Sequence, residues 1–285
     1  MRIPGLIVLI FSCLGLAGCG PMAAVGMVGN MVNRSIQKAE DQAYAESGGV
    51  PGQQTETVSQ SYDRQAIADA NIRLGVAYLQ NQQYRLALDK FSRARIAKPD
   101  YALSYSMLGV LYHRIEDYEL AEQNFKKSLD LDPGNSDTLN NYGLYLCDAA
   151  KYEAADQAFL EAAGNPLNNK PEIALANAGT CAMQQGNVVM AEDYFHRSLD
   201  RNPAVGPALL QMSRISFDKG EYTDARSYLN RYLAISEHTS SSLWLGIQIE
   251  NQLGDKDTVS SYALLLRNQY SESEEARLLE QSGIH

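Results

Sequence analysis

The stretch Leu74-Gly75-Val76-Ala77-Tyr78, followed by Tyr84, Ala87, Phe91, Ala94 and Pro99, returns 34 residues later as Leu108-Gly109-Val110-Leu111-Tyr112, followed by Tyr118, Ala121, Phe125, Ser128 and Pro133. Apolar and small residues recur three and four apart within each copy, the period of one helix face. Gly75 and Gly109 predict a close crossing of two helices, because backbones approach where no side chain intervenes, and Ala87 or Ala121 is expected to fill the facing gap. Tyr78, Phe91, Tyr112 and Phe125 supply buried area, worth about 1.5–3 kcal/mol each when fully covered. Pro99 and Pro133 end the second helix, since proline lacks the N–H that continuation needs.

Carried forward, the same ruler finds Gly143, Tyr152, Ala155, Phe159 and Ala162 in a third copy from Ser136, then a connection two residues longer, Asn165-Pro166-Leu167-Asn168-Asn169-Lys170-Pro171. A fourth copy has Gly179, Ala191, Phe195, Ser198 and Pro203. The fifth keeps Met212, Tyr222, Ala225, Leu229 and Tyr232 but has Ser213 where glycine stood, and a degenerate sixth surrounds Leu245-Gly246, Ile249, Gly254-Asp255, Tyr262 and Leu265. Helix-turn-helix units of this period are tetratricopeptide (TPR) repeats. They predict an all-α fold, a right-handed superhelix over 67–285, with repeats near 68–101, 102–135, 136–171, 172–205, 206–238 and 239–272. The stretch 273–285, with Ala276, Leu278 and Leu279 apolar, is expected to be a helix capping the last open face.

The amino terminus carries a second signal. Met1-Arg2, an apolar run from Leu6 to Leu16, and then Leu16-Ala17-Gly18-Cys19 give residues 1–18 the layout of a signal peptide. The run is shorter than the roughly 20 residues of a spanning helix. Leu-Ala-Gly-Cys resembles a bacterial lipobox, which implies cleavage before Cys19, diacylglycerol on its sulfur and acylation of the new amino group. More than one buried acyl chain makes such an anchor in the bilayer stable. Gly20, rather than aspartate, after the cysteine implies transfer to the outer membrane. Residues 19–66 read as a flexible tether with a root-mean-square span of about 35–40 Å, in which Asn33 to Glu46 would suit a short polar helix.

Composition narrows the function. The net charge of −10, from 24 Lys+Arg against 34 Asp+Glu, becomes −11 once Arg2 leaves with the signal, which argues against nucleic acid and anionic headgroups as partners. Of four cysteines, Cys13 leaves with the signal and Cys19 is read as lipidated, so Cys147 and Cys181 remain as an even pair in an oxidising compartment. They fall at positions twelve and ten of the first helices of adjacent repeats, counted from Ser136 and Glu172. First helices lie side by side, so a disulfide is the leading expectation and two buried thiols the alternative. His113, His196, His238 and His285 are scattered, and no metal site is expected. With no phosphate-cradling glycine loop, no Gly-x-Ser-x-Gly elbow and no Ser/His/Asp set beyond the scaffold, no catalytic residue, cofactor or small-molecule substrate is expected either. Carboxylates such as Glu116, Asp117 and Glu119 read as solvated helix faces.

A non-enzymatic repeat protein works through its surfaces. First helices of such arrays line a concave groove at positions two, five, nine, twelve and thirteen, which selects Ile72, Val76 and Leu79; Leu103, Val110 and His113; Asn140, Leu144 and Cys147; Ile173, Ala176 and Met183; and Leu210 and Phe217. The alternative reading is that some of this set, Leu144 and Leu210 foremost, is core. Its aliphatic character, with few lysines, favours an amphipathic helix or an extended hydrophobic segment over an acidic tail.

The run Asn140-Asn141-Tyr142-Gly143-Leu144-Tyr145-Leu146-Cys147, the long connection after Asn165-Pro166-Leu167, Asn177-Ala178-Gly179-Thr180-Cys181-Ala182, and Leu243-Trp244-Leu245-Gly246-Ile247-Gln248-Ile249-Glu250 resemble, in order, the type IV pilus biogenesis and stability lipoproteins of PilF/PilW type. The resemblance spans Ala68 to about Leu279 together with the lipobox. It implies a pilotin, an outer-membrane lipoprotein facing the periplasm that binds the secretin subunit of the pilus system and promotes its localisation and multimerisation. The alternative is a periplasmic adaptor scaffolding peptidoglycan hydrolases or another envelope machine. The Gly/Gln-rich tether and Ser213 depart from the family pattern.

Overall fold

The computed structural model describes residues 57–284; the signal, Cys19 and the Asn33–Glu46 stretch lie outside the described residues. The described residues form thirteen helices and no strand: α1 (Thr57–Gln80), α2 (Tyr84–Ala97), α3 (Ala102–Arg114), α4 (Tyr118–Leu131), α5 (Ser136–Asp148), α6 (Tyr152–Gly164), α7 (Pro171–Gln184), α8 (Val188–Arg201), α9 (Gly206–Asp218), α10 (Tyr222–Leu233), α11 (Ser240–Leu253), α12 (Lys256–Gln269) and α13 (Glu274–Ser282). Each first helix packs on its own second helix, on the second helix before it and on the first helix of the next repeat, with α13 closing on α11 and α12. This is the TPR arrangement. Helix α1 begins at Thr57, so the last ten residues assigned to the tether continue the first helix.

The first-to-second helix turns are built alike. Gln82, Glu116, Ala150, Gly186, Gly220 and Gly254 take φ between 56° and 83°, one per turn and in register. Glycine holds this left-handed position in the last three, where it avoids the Cβ strain that Gln82, Glu116 and Ala150 accept. Asp117, Asn187 and Asp255 follow the left-handed residue and cap the next helix, accepting from the amides of Leu120, Met190 and Thr258.

The crossing glycines face rings, not the alanines expected above. A Cβ placed on Gly109 would lie 2.8 Å from Phe125, on Gly143 2.6 Å from Phe159, on Gly179 2.6 Å from Phe195 and on Gly246 2.7 Å from Tyr262; Gly75 stands likewise against Phe91. The partner is sixteen residues on each time. The ring lies over the bare backbone, and Ala87, Ala121, Ala155 and Ala191 are fully buried elsewhere in the core. Phe91, Phe125, Phe159 and Phe195 are all fully buried. Repeat five keeps the rule by exchanging both members: Ser213 replaces glycine and Leu229, sixteen residues on, replaces the ring, while Ser213 Oγ donates to the Ala225 carbonyl at 2.8 Å. Leu229→Phe alone is therefore expected to overpack and cost about 1–3 kcal/mol. Adding Ser213→Gly should recover most of that loss in a urea-denaturation cycle.

The long connection is pinned by its asparagines. Asn165 donates to the Gly134 carbonyl and accepts from the Leu167 amide, and Asn168 donates to the Ala162 carbonyl and accepts from the Lys170 amide. Pro171 then opens α7 with fixed φ.

Each junction from repeat two onward carries its own polar bond at one column, the residue after the small alanine of the second helix. Glu122 accepts from Tyr145 and Lys151, Asp156 from Tyr194, and Glu192 from Lys219. Arg226 inverts the sign and donates to Glu250, whose side chain is 6% exposed. Hydrogen bonds from Lys126 and Lys151 hold Glu122 at about 2, against its ordinary 4.5. Burial, followed by the bond to Glu122, pushes Tyr145 up to about 12. The folded pKa of Glu122 is depressed, so its stabilisation is complete above 4.5 and fades as pH falls toward 2.

Candidate partner-binding groove

First helices of successive repeats touch along two bands. At position five, Thr138 donates to Ser106 at 3.1 Å, and Asn177 donates from Nδ2 to Asn140 Oδ1 at 2.9 Å. At position twelve, His113 stands edge-on to Tyr145 with ring centroids 5.7 Å apart, and its Nε2 is 2.9 Å from Asp148 Oδ2. One junction later the same slot holds Cys147 and Cys181, which form a disulfide with Cα atoms 5.8 Å apart. The bond fastens α5 to α7 across the long connection.

These bands sort the groove candidates. Ile72 and Ala176 are 6% and 2% exposed and belong to the core, as does Cys147. Ile72 and Ala176 are not groove residues, because both are buried where first helices pack side by side, although Asn140 and Leu210 at the same position stay half-buried. Val76, Leu79, Leu103, Val110, His113, Asn140, Met183, Leu210 and Phe217 are half-buried. Leu144 and Ile173 are the most open, at 36% and 38%. Leu144, selected for the groove with the core as its alternative, faces outward, one turn beyond Asn140 on α5. Ile173 lies one turn before Asn177 on α7, so an amide pair is bracketed by two exposed aliphatic side chains. Asn177 was missed by the sequence reading because the rule stepped over position six; its pairing with Asn140 is the signal that places it. His113 is engaged by Tyr145 and Asp148 and serves the junction.

This surface offers apolar contact and hydrogen-bonding amides. Among the described residues no group of three His, Cys, Asp or Glu is placed to hold a metal ion, and no helix is long and apolar enough to cross a membrane.

Tetratricopeptide-repeat family models match residues 72–136 and 124–157. The solved structure of PilF from Pseudomonas aeruginosa superposes with a TM-score of 0.69 at 30% identity, covering 77% of this chain and 99% of that one. The chain belongs to the PilF/PilW-type family of TPR proteins. The crystal structure of PilW, described as a widely conserved type IV pilus biogenesis factor, superposes with a TM-score of 0.66 at 27% identity over 75% of this chain and 98% of that one. In sequence, the chain is 31% identical over 111 residues to the type IV pilus assembly protein PilF of Pseudomonas aeruginosa, a match spanning 39% of this chain and 44% of that protein, less than half its length.

Proposed function

We propose that this chain acts in type IV pilus biogenesis as a pilotin: a lipoprotein of the outer membrane's periplasmic face that binds the secretin subunit and promotes its localisation and multimerisation. The observation that supports it most is the likeness to PilF, which extends over nearly all of that solved chain and 77% of this one. The groove around Leu144, Ile173 and the Asn140–Asn177 pair suits a hydrophobic partner segment, since half-buried aliphatics gain from coverage and the amides satisfy polar groups that coverage would otherwise strand. The lipobox supplies the second half of the mechanism, an acyl anchor on Cys19 that carries the bound subunit to the membrane.

Cys19→Ala is the direct test. Membrane fractionation is expected to show soluble or inner-membrane secretin and a loss of heat-stable outer-membrane multimers. Unchanged multimers would refute the proposal, and co-purification of peptidoglycan hydrolases in place of secretin would favour an envelope scaffold.

A further inference from the structure

The described residues hold two hydrophobic cores. The larger runs from Ala68 to Ile249. A second, built from Leu243, Ile247, Val259, Ala263, Leu266 and Leu279 with Trp244 and Tyr262 against it, belongs to α11, α12 and α13 alone. Helix α11 takes part in both, since Leu245 and Ile249 belong to the larger core, and the connection that leads into it from α10 contains His238. The Nδ1 atom of His238 is buried and has no hydrogen-bond partner. Its ring stands edge-on to Tyr262 at 5.3 Å, and its carbonyl accepts from the Tyr270 hydroxyl. A cavity of about 490 Å³ opens beside it, with Leu233, Glu237 and His238 on one side and Leu265 and Tyr270 on the other.

We propose that His238 is an acid-sensitive latch: protonating it unseats the α11–α13 unit from repeat five while the first four repeats stay stacked. The neutral ring fits a site whose titratable neighbours are Glu237 in the same connection, Tyr262 on α12 and Tyr270 beyond it, none of which bonds the ring. Protonation there would leave the buried Nδ1 as an N–H donor with no acceptor bonded to it, although Ser236, Glu237 and Gln269 line the adjoining cavity. Burial accordingly holds His238 below its ordinary 6.5. Because the open form binds the proton more readily, closure is fully favoured above 6.5 and weakens as pH falls from 6.5 to the lowered value, by up to about tenfold per pH unit, and changes no further below it. The cavity gives the connection room to move, and the smaller core holds α11, α12 and α13 together while Leu245 and Ile249 leave the larger one. This inference is independent of the pilotin proposal.

The chain has one tryptophan, Trp244, inside the smaller core's packing, and it reports the event. In the full-length protein in detergent, a descent from pH about 7.5 to about 5 is expected to change Trp244 emission. Hydrogen-exchange protection factors, which remove the intrinsic slowing of exchange at lower pH, should fall about tenfold in 240–284 but not in 68–205. His238→Gln and His238→Phe, the second keeping the edge-on ring contact, should each flatten the response, and His113→Gln should leave it intact. A response that survives both His238 variants, exchange rising equally in all repeats, or no response, as would follow if Glu237 accepted the proton's charge in place, would each overturn the latch.

Discussion

Breaking the Cys147–Cys181 bond, with reductant or as Cys147→Ala/Cys181→Ala, is expected to cost about 3–4 kcal/mol. The cross-link spans 34 residues, and restoring that much freedom to the unfolded chain sets the size of the effect in the chain-entropy account. The loss should be concentrated where the bond acts. In a repeat array stability is a sum of unit and neighbour contributions, so the α5–α7 junction weakens while the terminal junctions keep their own contacts. Calorimetry with and without reductant should show a fall in Tm of about 10 °C, by the usual conversion for a domain of this size. Hydrogen exchange should rise first on both sides of the Asn165–Lys170 connection. An unchanged Tm would mean that the asparagine-pinned loop already holds the junction.

Arg226→Met is expected to be at least as damaging, at about 3–5 kcal/mol. Methionine keeps the apolar stem, so the lost quantity is the guanidinium that answers Glu250, and a carboxylate only 6% exposed would be left without its cation. The reverse change should be milder. Glu250→Gln leaves Arg226, 36% exposed, able to reach water and the nearby Asp255 carboxylate. Removing both charges together, as Arg226→Met/Glu250→Met, should recover most of the stability, because a well-packed apolar pair dispenses with two desolvated ions. Urea denaturation of the three variants decides it. Equal losses in the two single variants would contradict the asymmetry that burial implies.

How far the sequence disclosed this fold depended on whether one residue's size was enough to read. The period, the prolines and the aromatic columns were plain because each is tied to a local need: a helix stop, a turn, a face to bury. The glycine's true neighbour was not plain, since sequence spacing identifies a close crossing but not whether the residue twelve or sixteen positions on arrives there. Once the ring is known to be the partner, Ser213 and Leu229 read as one compensated change. The groove was half legible. Side chains covered by the next first helix, Ile72 and Ala176, cannot be told from open ones by column alone, because coverage depends on the rotation between repeats. Leu144 was legible from its column alone, although an aliphatic residue amid aromatic core columns could also have been interior. The start of α1 at Thr57 escaped for a simpler reason, as a polar stretch rich in serine, threonine and glutamine shows no apolar period.

The change of sign at Arg226 limits how this array can shrink or grow. Excising the fifth unit would bring Glu192 opposite the stretch that holds Glu250, carboxylate against carboxylate in a poorly hydrated seam. Excising the fourth would leave Asp156 facing Lys219, an agreeable match. The fifth unit is thus an adaptor that converts an acid-outward series into the opposite polarity demanded by the carboxy-terminal block, and a shortened descendant of this chain could drop it only by exchanging charges on one flank.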